Sequence, residues 1–174
     1  MFFFKHINIA NNNKCFLTFI LFCIIKLNIV YSQDSVYQKF YFDSKEVSSE
    51  GFLINGIPDG KWISYYENKN IKSEGFWKNS LLDSTWIFYD SSGRVTLEEN
   101  YSKNLKNGLS IFYDTIGFKI KESNYVDGKK TGTELLYFIG TNKIKEENNF
   151  KNGIKDGVSL EYDKNRQLIT IYNF

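Results

Sequence analysis

Glutamates recur in step along this sequence, at Glu50, Glu74, Glu98 and Glu99, Glu122, and Glu146 and Glu147. Paired carboxylates can hydrolyse glycosides, one protonating the leaving oxygen while the other attacks or activates water. That chemistry needs two carboxyl groups in unlike environments, so that one keeps the proton the other has lost. A ladder at a constant step supplies copies of one environment. The expectation is therefore a repeated surface position paired with lysines such as Lys72, Lys121 and Lys145. A second set, Asp59-Gly60, Asp83, Asn107-Gly108 and Asp156-Gly157, has the composition of calcium loops. Calcium takes about six to eight oxygens, and each of these short segments offers one carboxylate. They read as turns. The third set is aromatic: Trp62, Tyr66, Trp77, Trp86, Phe88 and Phe112. Rings of this kind, if exposed, mark a surface for a protein or a carbohydrate; if they pack on one another, they stabilise a sheet.

What else the chain can do depends on residues 1–32. Lys5, His6 and Lys14 precede the 11-residue apolar run of residues 15–25, and Val30 and Ser32 fit the −3 and −1 positions of a cleavage before Gln33. That is the layout of a signal peptide, a short apolar helix followed by an extended small-residue site. The run falls short of the roughly 20 residues needed to cross a bilayer. Bulky Phe22 before Cys23 argues against lipidation. Cleavage would remove both cysteines, the one histidine and the one methionine of the 174-residue chain. Residues 33–174 then hold no thiol or imidazole, which excludes disulfides, zinc sites built on Cys or His, and Ser-His or Cys-His nucleophiles. The leader takes three of the 22 basic residues and none of the 20 acidic ones, leaving 19 against 20. A near-neutral chain with interspersed signs has no electrostatic footprint for nucleic acid and no polybasic cluster for a membrane surface.

The elements that carry these residues are repeats. Tyr41, Tyr65, Tyr89, Tyr113, Tyr137 and Tyr162 are separated by 24, 24, 24, 24 and 25 residues. A second aromatic recurs as Phe52, Phe76, Tyr101, Tyr125, Phe150 and Phe174, in steps of 24, 25, 24, 25 and 24. Each of the last five tyrosines ends a pattern such as Gly60-Lys-Trp-Ile-Ser-Tyr65, with Ser84 in place of glycine in the second unit. Residues 61–66 and 71–77 of the first unit read as strands, rich in Trp, Ile, Tyr and Phe. Asn55-Gly56, Asp127-Gly128 and Asn152-Gly153 supply the positive φ of tight hairpin turns. Along the first strand, Ile63 with Tyr65, Ile87 with Tyr89, Ile111 with Tyr113, Leu135 with Tyr137 and Leu160 with Tyr162 are two apart and share a side. This side, apolar in every unit, is expected to be the packed one. The other side would carry Trp62, Ser64 and Tyr66, then Trp86, Phe88 and Asp90, then Ser110, Phe112 and Asp114, then Glu134, Leu136 and Phe138, and lastly Ser159, Glu161 and Asp163. On the second strand the aliphatic-to-aromatic spacing varies between five and six, as in Ile71 to Phe76 and Val95 to Tyr101, which predicts a β-bulge in some units.

Glu50-Gly-Phe, Asn55-Gly56, Asp59-Gly-Lys-Trp62, Tyr65-Tyr66 and Glu74-Gly-Phe76 resemble the bacterial variant of the MORN repeat, over residues 40–174. Later units depart from it, with Ser110, Glu134 and Ser159 at the place of Trp62 and Trp86. The resemblance implies an elongated, single-layer antiparallel sheet of successive hairpins, and some relatives are of antitoxin type. The expected architecture is all-β, with about five tandem hairpin repeats near residues 50–73, 74–98, 99–122, 123–147 and 148–174, behind the signal helix. Ten or eleven strands at ~4.8 Å each would make a ribbon roughly 50 Å long. The expected function is that of a secreted or periplasmic, cell-envelope repeat protein that is not an enzyme and uses no cofactor. It would present one sheet face, at Trp62, Tyr66, Trp77, Trp86, Phe88 and Phe112, to a protein or glycan, with no nucleic-acid partner and no stable membrane insertion after cleavage. The alternative is an antitoxin- or immunity-type protein that neutralises a partner toxin.

Overall fold

Each 24- or 25-residue period folds into two strands, and the strands follow one another through a single antiparallel sheet. The structure is a computed structural model that describes residues 34–174; the expected leader, residues 1–32, lies outside them. The order is β1 (Ser35–Tyr41), β2 (Val47–Ile54), β3 (Ile57–Tyr65), β4 (Ile71–Lys78), β5 (Leu81–Tyr89), β6 (Val95–Ser102), β7 (Leu105–Tyr113), β8 (Lys119–Val126), β9 (Lys129–Tyr137), β10 (Ile144–Lys151), β11 (Ile154–Tyr162) and β12 (Leu168–Asn173). Twelve strands pair in chain order, more than the ten or eleven expected. No helix occurs among the described residues.

Two kinds of turn alternate. Even strands pass to odd ones through two residues that both have positive φ, the signature of type I′ hairpins whose twist matches that of the strands. Asn55-Gly56, Asp127-Gly128 and Asn152-Gly153 do this as expected, and so do Asn79-Ser80 and Lys103-Asn104, without glycine. The other turns are longer, and several are closed by a side chain. Asp90, Asp114 and Asp163 each accept two loop N–H groups at Oδ1, at 2.8–3.1 Å. These three aspartates therefore cap turns, where strict alternation would have placed them on the sheet face.

Bulges occur in every unit. Gly51 pairs with Trp62 and Leu53 with Pro58, so residues 59–61 stand opposite the single residue 52. The same count recurs in each even-to-odd pair. Each bulge contains one positive-φ residue, Gly60, Ser84, Gly108, Gly132 or Gly157, the middle of the three in the first, third and fifth units and the first of the three in the others. Ser84, at φ 58°, is the one that carries a side chain. A second irregularity follows each tyrosine: Ser64 pairs with Ser73 but Tyr65 with Ile71, leaving residue 72 extra.

The sheet thus has two faces. One, the tyrosine face, carries an alternating row across the strands: Glu50, Ile63, Glu74, Ile87, Glu98, Ile111 and Glu122 stand side by side in that order. The other, the tryptophan face, holds the deepest residues: Trp86 at 5% exposure, Glu99 3%, Ser110 1%, Ser123 0%, Glu134 7%, Asn148 4% and Ser159 2%. This corrects the expectation that the Ile/Leu–Tyr side is the packed one. Of its five aliphatic positions Ile111 is buried, and the others are half-buried. With no second layer among the described residues, depth depends on cover from neighbours on the same face. The row that long side chains flank on both ends becomes the interior, whatever its polarity.

A serine in the left-handed region is strained by ~1 kcal/mol or more relative to glycine. Ser84→Gly is therefore expected to raise stability by about 0.5–1 kcal/mol, read as a higher urea midpoint. Gly132→Ser, where a Cβ would have open space, should lower stability by a similar amount.

Candidate binding face

On the tryptophan face, residues in adjacent strands divide a nearly constant space. Trp62 stands beside Gly51 and Gly75. A Cβ on Gly51 would lie 2.2 Å from the Trp62 ring, and a Cβ on Gly75 would lie 2.2 Å from the Trp86 ring. Both glycines have negative-φ strand conformations, so space rather than turning requires them. Further along, the indole goes and its neighbour grows. Glu99 lies beside Ser110, Ser123 bonds Glu134, and Asn148 lies beside Ser159.

A lysine joins each polar pair. Lys106 binds Glu99, whose Oε1 also accepts the Ser110 hydroxyl at 3.1 Å. Lys130 reaches Glu134 at 2.5 Å, and the Ser123 hydroxyl donates to the same oxygen at 2.6 Å. Lys155 donates to Asn148 Oδ1 at 3.0 Å. Each ammonium also lies over a ring, Tyr125 at 5.4 Å, Phe150 at 4.3 Å and Phe174 at 4.9 Å, a favourable contact with the negative ring face. Pro58 and Leu82 hold the equivalent position in the tryptophan units. These lysines were missed in the sequence, where Lys106, Lys130 and Lys155 nevertheless keep the 24- and 25-residue step.

The six aromatic candidates are placed as follows. Trp62 packs on Phe40 with centroids 5.9 Å apart, and Trp77 meets Trp86 edge-on at 5.5 Å. Trp86 also lies 6.3 Å from Phe88, donates from Nε1 to the Phe76 carbonyl at 3.1 Å, and is covered. Its role is packing. Tyr66 lies in the turn after β3, where its hydroxyl donates to the Tyr89 carbonyl at 2.8 Å and ties two units together. Phe112 stands apart from the tryptophans, with Lys121 Nζ 4.0 Å above its ring. It forms part of a groove of about 660 Å³ with Leu136, Phe138 and Ile139, rimmed by Lys145 and Lys164. Ile139 is 82% exposed.

The opposite face answers the question of the glutamates. Tyr65 donates to Glu50 at 2.6 Å, Tyr89 to Glu74 at 2.7 Å and Tyr113 to Glu98 at 3.0 Å. Lys39 pairs with Glu50, Lys61 with Glu74 and Lys119 with Glu122. Of the three lysines expected as partners, Lys145 pairs with Glu146. Lys72 and Lys121 instead sit over the Tyr66 and Phe112 rings. The hydrogen bond from Tyr89, and then Lys61, hold Glu74 below its ordinary value. Burial first, then the carboxylate of Glu74, raises Tyr89 to about 12. Tyr113 and Tyr137 rise to about 12 by the same causes with Glu98 and Glu122. Glu50, Glu74 and Glu98, each held by a tyrosine, can brace a sheet, whereas Glu99 lies buried on the tryptophan face.

Among the described residues no group of three or more His, Cys, Asp or Glu is placed to hold a metal ion, and no helix is long and apolar enough to cross a membrane. No protein-family model matches the chain, and no curated protein matches it at a significant level.

Two measurements check this arrangement. Gly75→Ala is expected to cost about 2–3 kcal/mol by overpacking, and the cost should shrink in the background of Trp86→Leu; additive costs would refute the shared-space account. The tyrosines ionise from pH 10 upward in the unfolded chain but near 12 in the folded one. The folded state therefore holds more protons between these limits. Stability should be intact below pH 10 and fall as pH rises toward 12, less steeply in Tyr89→Phe, as read from urea midpoints.

Proposed function

We propose that the chain is an exported, non-catalytic repeat protein of MORN type that binds a protein or glycan partner on its tryptophan face. The groove at Phe112, Leu136, Phe138 and Ile139 is the observation that carries this reading. It joins exposed Ile139 and half-buried Phe112, Leu136 and Phe138 to a lysine rim at the surface of a one-layer sheet, and an apolar patch with a polar border is the usual form of a recognition surface. The strand pair repeated every 24 or 25 residues supports the kinship with MORN-type repeats. Export rests on the composition of residues 1–32. The glutamate series supports a structural role for the carboxylates, since Glu50, Glu74 and Glu98 share one kind of partner.

The experiment compares wild type with Leu136→Ser/Ile139→Ser in affinity capture from envelope fractions and on a glycan array. At least one ligand retained by wild type should be lost or weakened about tenfold in the double variant. Equal retention of every ligand by both forms sinks the groove as the binding surface. Mass spectrometry of the expressed protein should find Gln33 at the N-terminus; a chain that keeps Met1 in the cytosol defeats export.

A further inference from the structure

The two ends of the sheet are unlike. β1 carries Lys39, paired with Glu50 of β2, and a lysine on an outer strand is a usual bar to pairing with another chain. β12, Leu168-Ile-Thr-Ile-Tyr-Asn173, is the one strand of the twelve without a charged side chain. Among the described residues no strand lies beyond it. Leu168, Ile169, Ile171, Tyr172 and the adjoining Phe174 are about half exposed or more. An uncharged apolar edge of this kind is a template for another strand.

The register identifies the charge that β12 lacks. Ile63 stands opposite Glu74, Ile87 opposite Glu98, Ile111 opposite Glu122 and Leu135 opposite Glu147. Leu160 stands opposite Ile171. Where another odd strand follows, its tyrosine donates to that glutamate, as Tyr89 does to Glu74 and Tyr113 to Glu98. A β1 from another copy, laid on β12 in the same register, would bring Tyr41 to Ile171, which accepts no hydrogen bond. The edge does not fit a continuation of the repeat.

We infer that β12 pairs antiparallel with β12 of a second copy of this chain, about a two-fold axis at Ile171. The backbone is set for it. Phe174 and Gly157 exchange both their hydrogen bonds, at 3.0 and 3.2 Å. Alternation along an antiparallel strand then turns the N–H and C=O of Tyr172 toward β11 and those of Ile171 and Asn173 away from it. Across the axis the two Ile171 residues exchange N–H···O bonds, and Asn173 stands opposite Ile169 of the other copy. The two Ile171 side chains meet on the tyrosine face. On the tryptophan face Thr170 stands beside Tyr172, and Leu168 beside Phe174, of the other copy. No charge meets its own copy at any of these places, where like charges directly opposite would repel. The axis is perpendicular to the sheet, so each face continues on its own side and both grooves open in one direction. The outer ends of the joined sheet are then two copies of β1, each with its lysine, and the assembly closes as a dimer. The inference does not rest on the groove.

Sedimentation equilibrium of the purified protein tests it. The contact is one strand wide, below a standard interface in area, so a monomer–dimer equilibrium with Kd of ~10–100 μM is expected. Ile171→Glu restores the residue that the other even strands carry at this place, and Ile171→Lys copies the lysine of β1. Each variant sets two like charges at the axis and should dimerise about tenfold more weakly or worse, with the circular dichroism spectrum of wild type. Mixed in equal amounts, the two variants should associate again. In wild type, amide exchange at Ile171 and Asn173 should slow as concentration rises, and exchange in β1 should not. Leu136→Ser/Ile139→Ser should leave the dimer unchanged, which tests edge and groove separately. A monomer at about 1 mM, an open series of larger species, a dimer that both Ile171 variants leave intact, or mixed variants that stay apart would each overturn the assignment.

Discussion

The described residues form a sheet one layer thick, so each of their side chains finds its cover among neighbours on its own face. Cross-strand neighbours stand ~5 Å apart, and the space over each pair of strands is nearly the same from one repeat to the next. A large residue at one position therefore requires a small one beside it. Trp62 and Trp86 lie against Gly51 and Gly75, where a β-carbon would be 2.2 Å from an indole ring. Once the tryptophans give way, glutamate, serine and asparagine share the space instead. The row they form is the deepest among the described residues although much of it is polar. Apolar character does not decide depth here; flanking cover does.

The polarity of that row then has to be met locally. Buried carboxylates at Glu99 and Glu134 are each matched by one lysine whose stem lies along the face and whose ammonium also meets a ring. On the other face the tyrosines perform the same service for Glu50, Glu74 and Glu98. A hydroxyl donor beside a half-buried carboxylate keeps the acid ionised and its own proton bound, which makes the sheet sensitive to alkali. The deep acids take a lysine and a serine, with Tyr101 added at Glu99, and the shallow ones a tyrosine with a lysine at the rim.

How much of this was legible in the residues varies by element. The ladders of Tyr65 to Tyr162 and Phe52 to Phe174 set the period and the hairpins, and the Asn-Gly and Asp-Gly dipeptides marked three of the five type I′ turns. Asn79-Ser80 and Lys103-Asn104 were silent because neither contains glycine; neighbouring strands force their conformation. The uneven spacing from Ile71 to Phe76 and from Val95 to Tyr101 pointed to bulges, but not to one in every unit. The spacing of the six aromatic candidates does not show which of them are covered. Trp86 packs, while Phe112 borders a groove.

The amino-acid sequence by itself determined the repeat, the all-β character, the strand order and the alternation of side chains, because these depend on spacing and on local backbone preference. Tertiary structure alone decided which face became the interior and which lysine met which acid. Those outcomes depend on the register between strands. A bulge shifts that register by the one residue that moves a side chain from one face to the other, and no spacing within a single strand records how its neighbour is aligned.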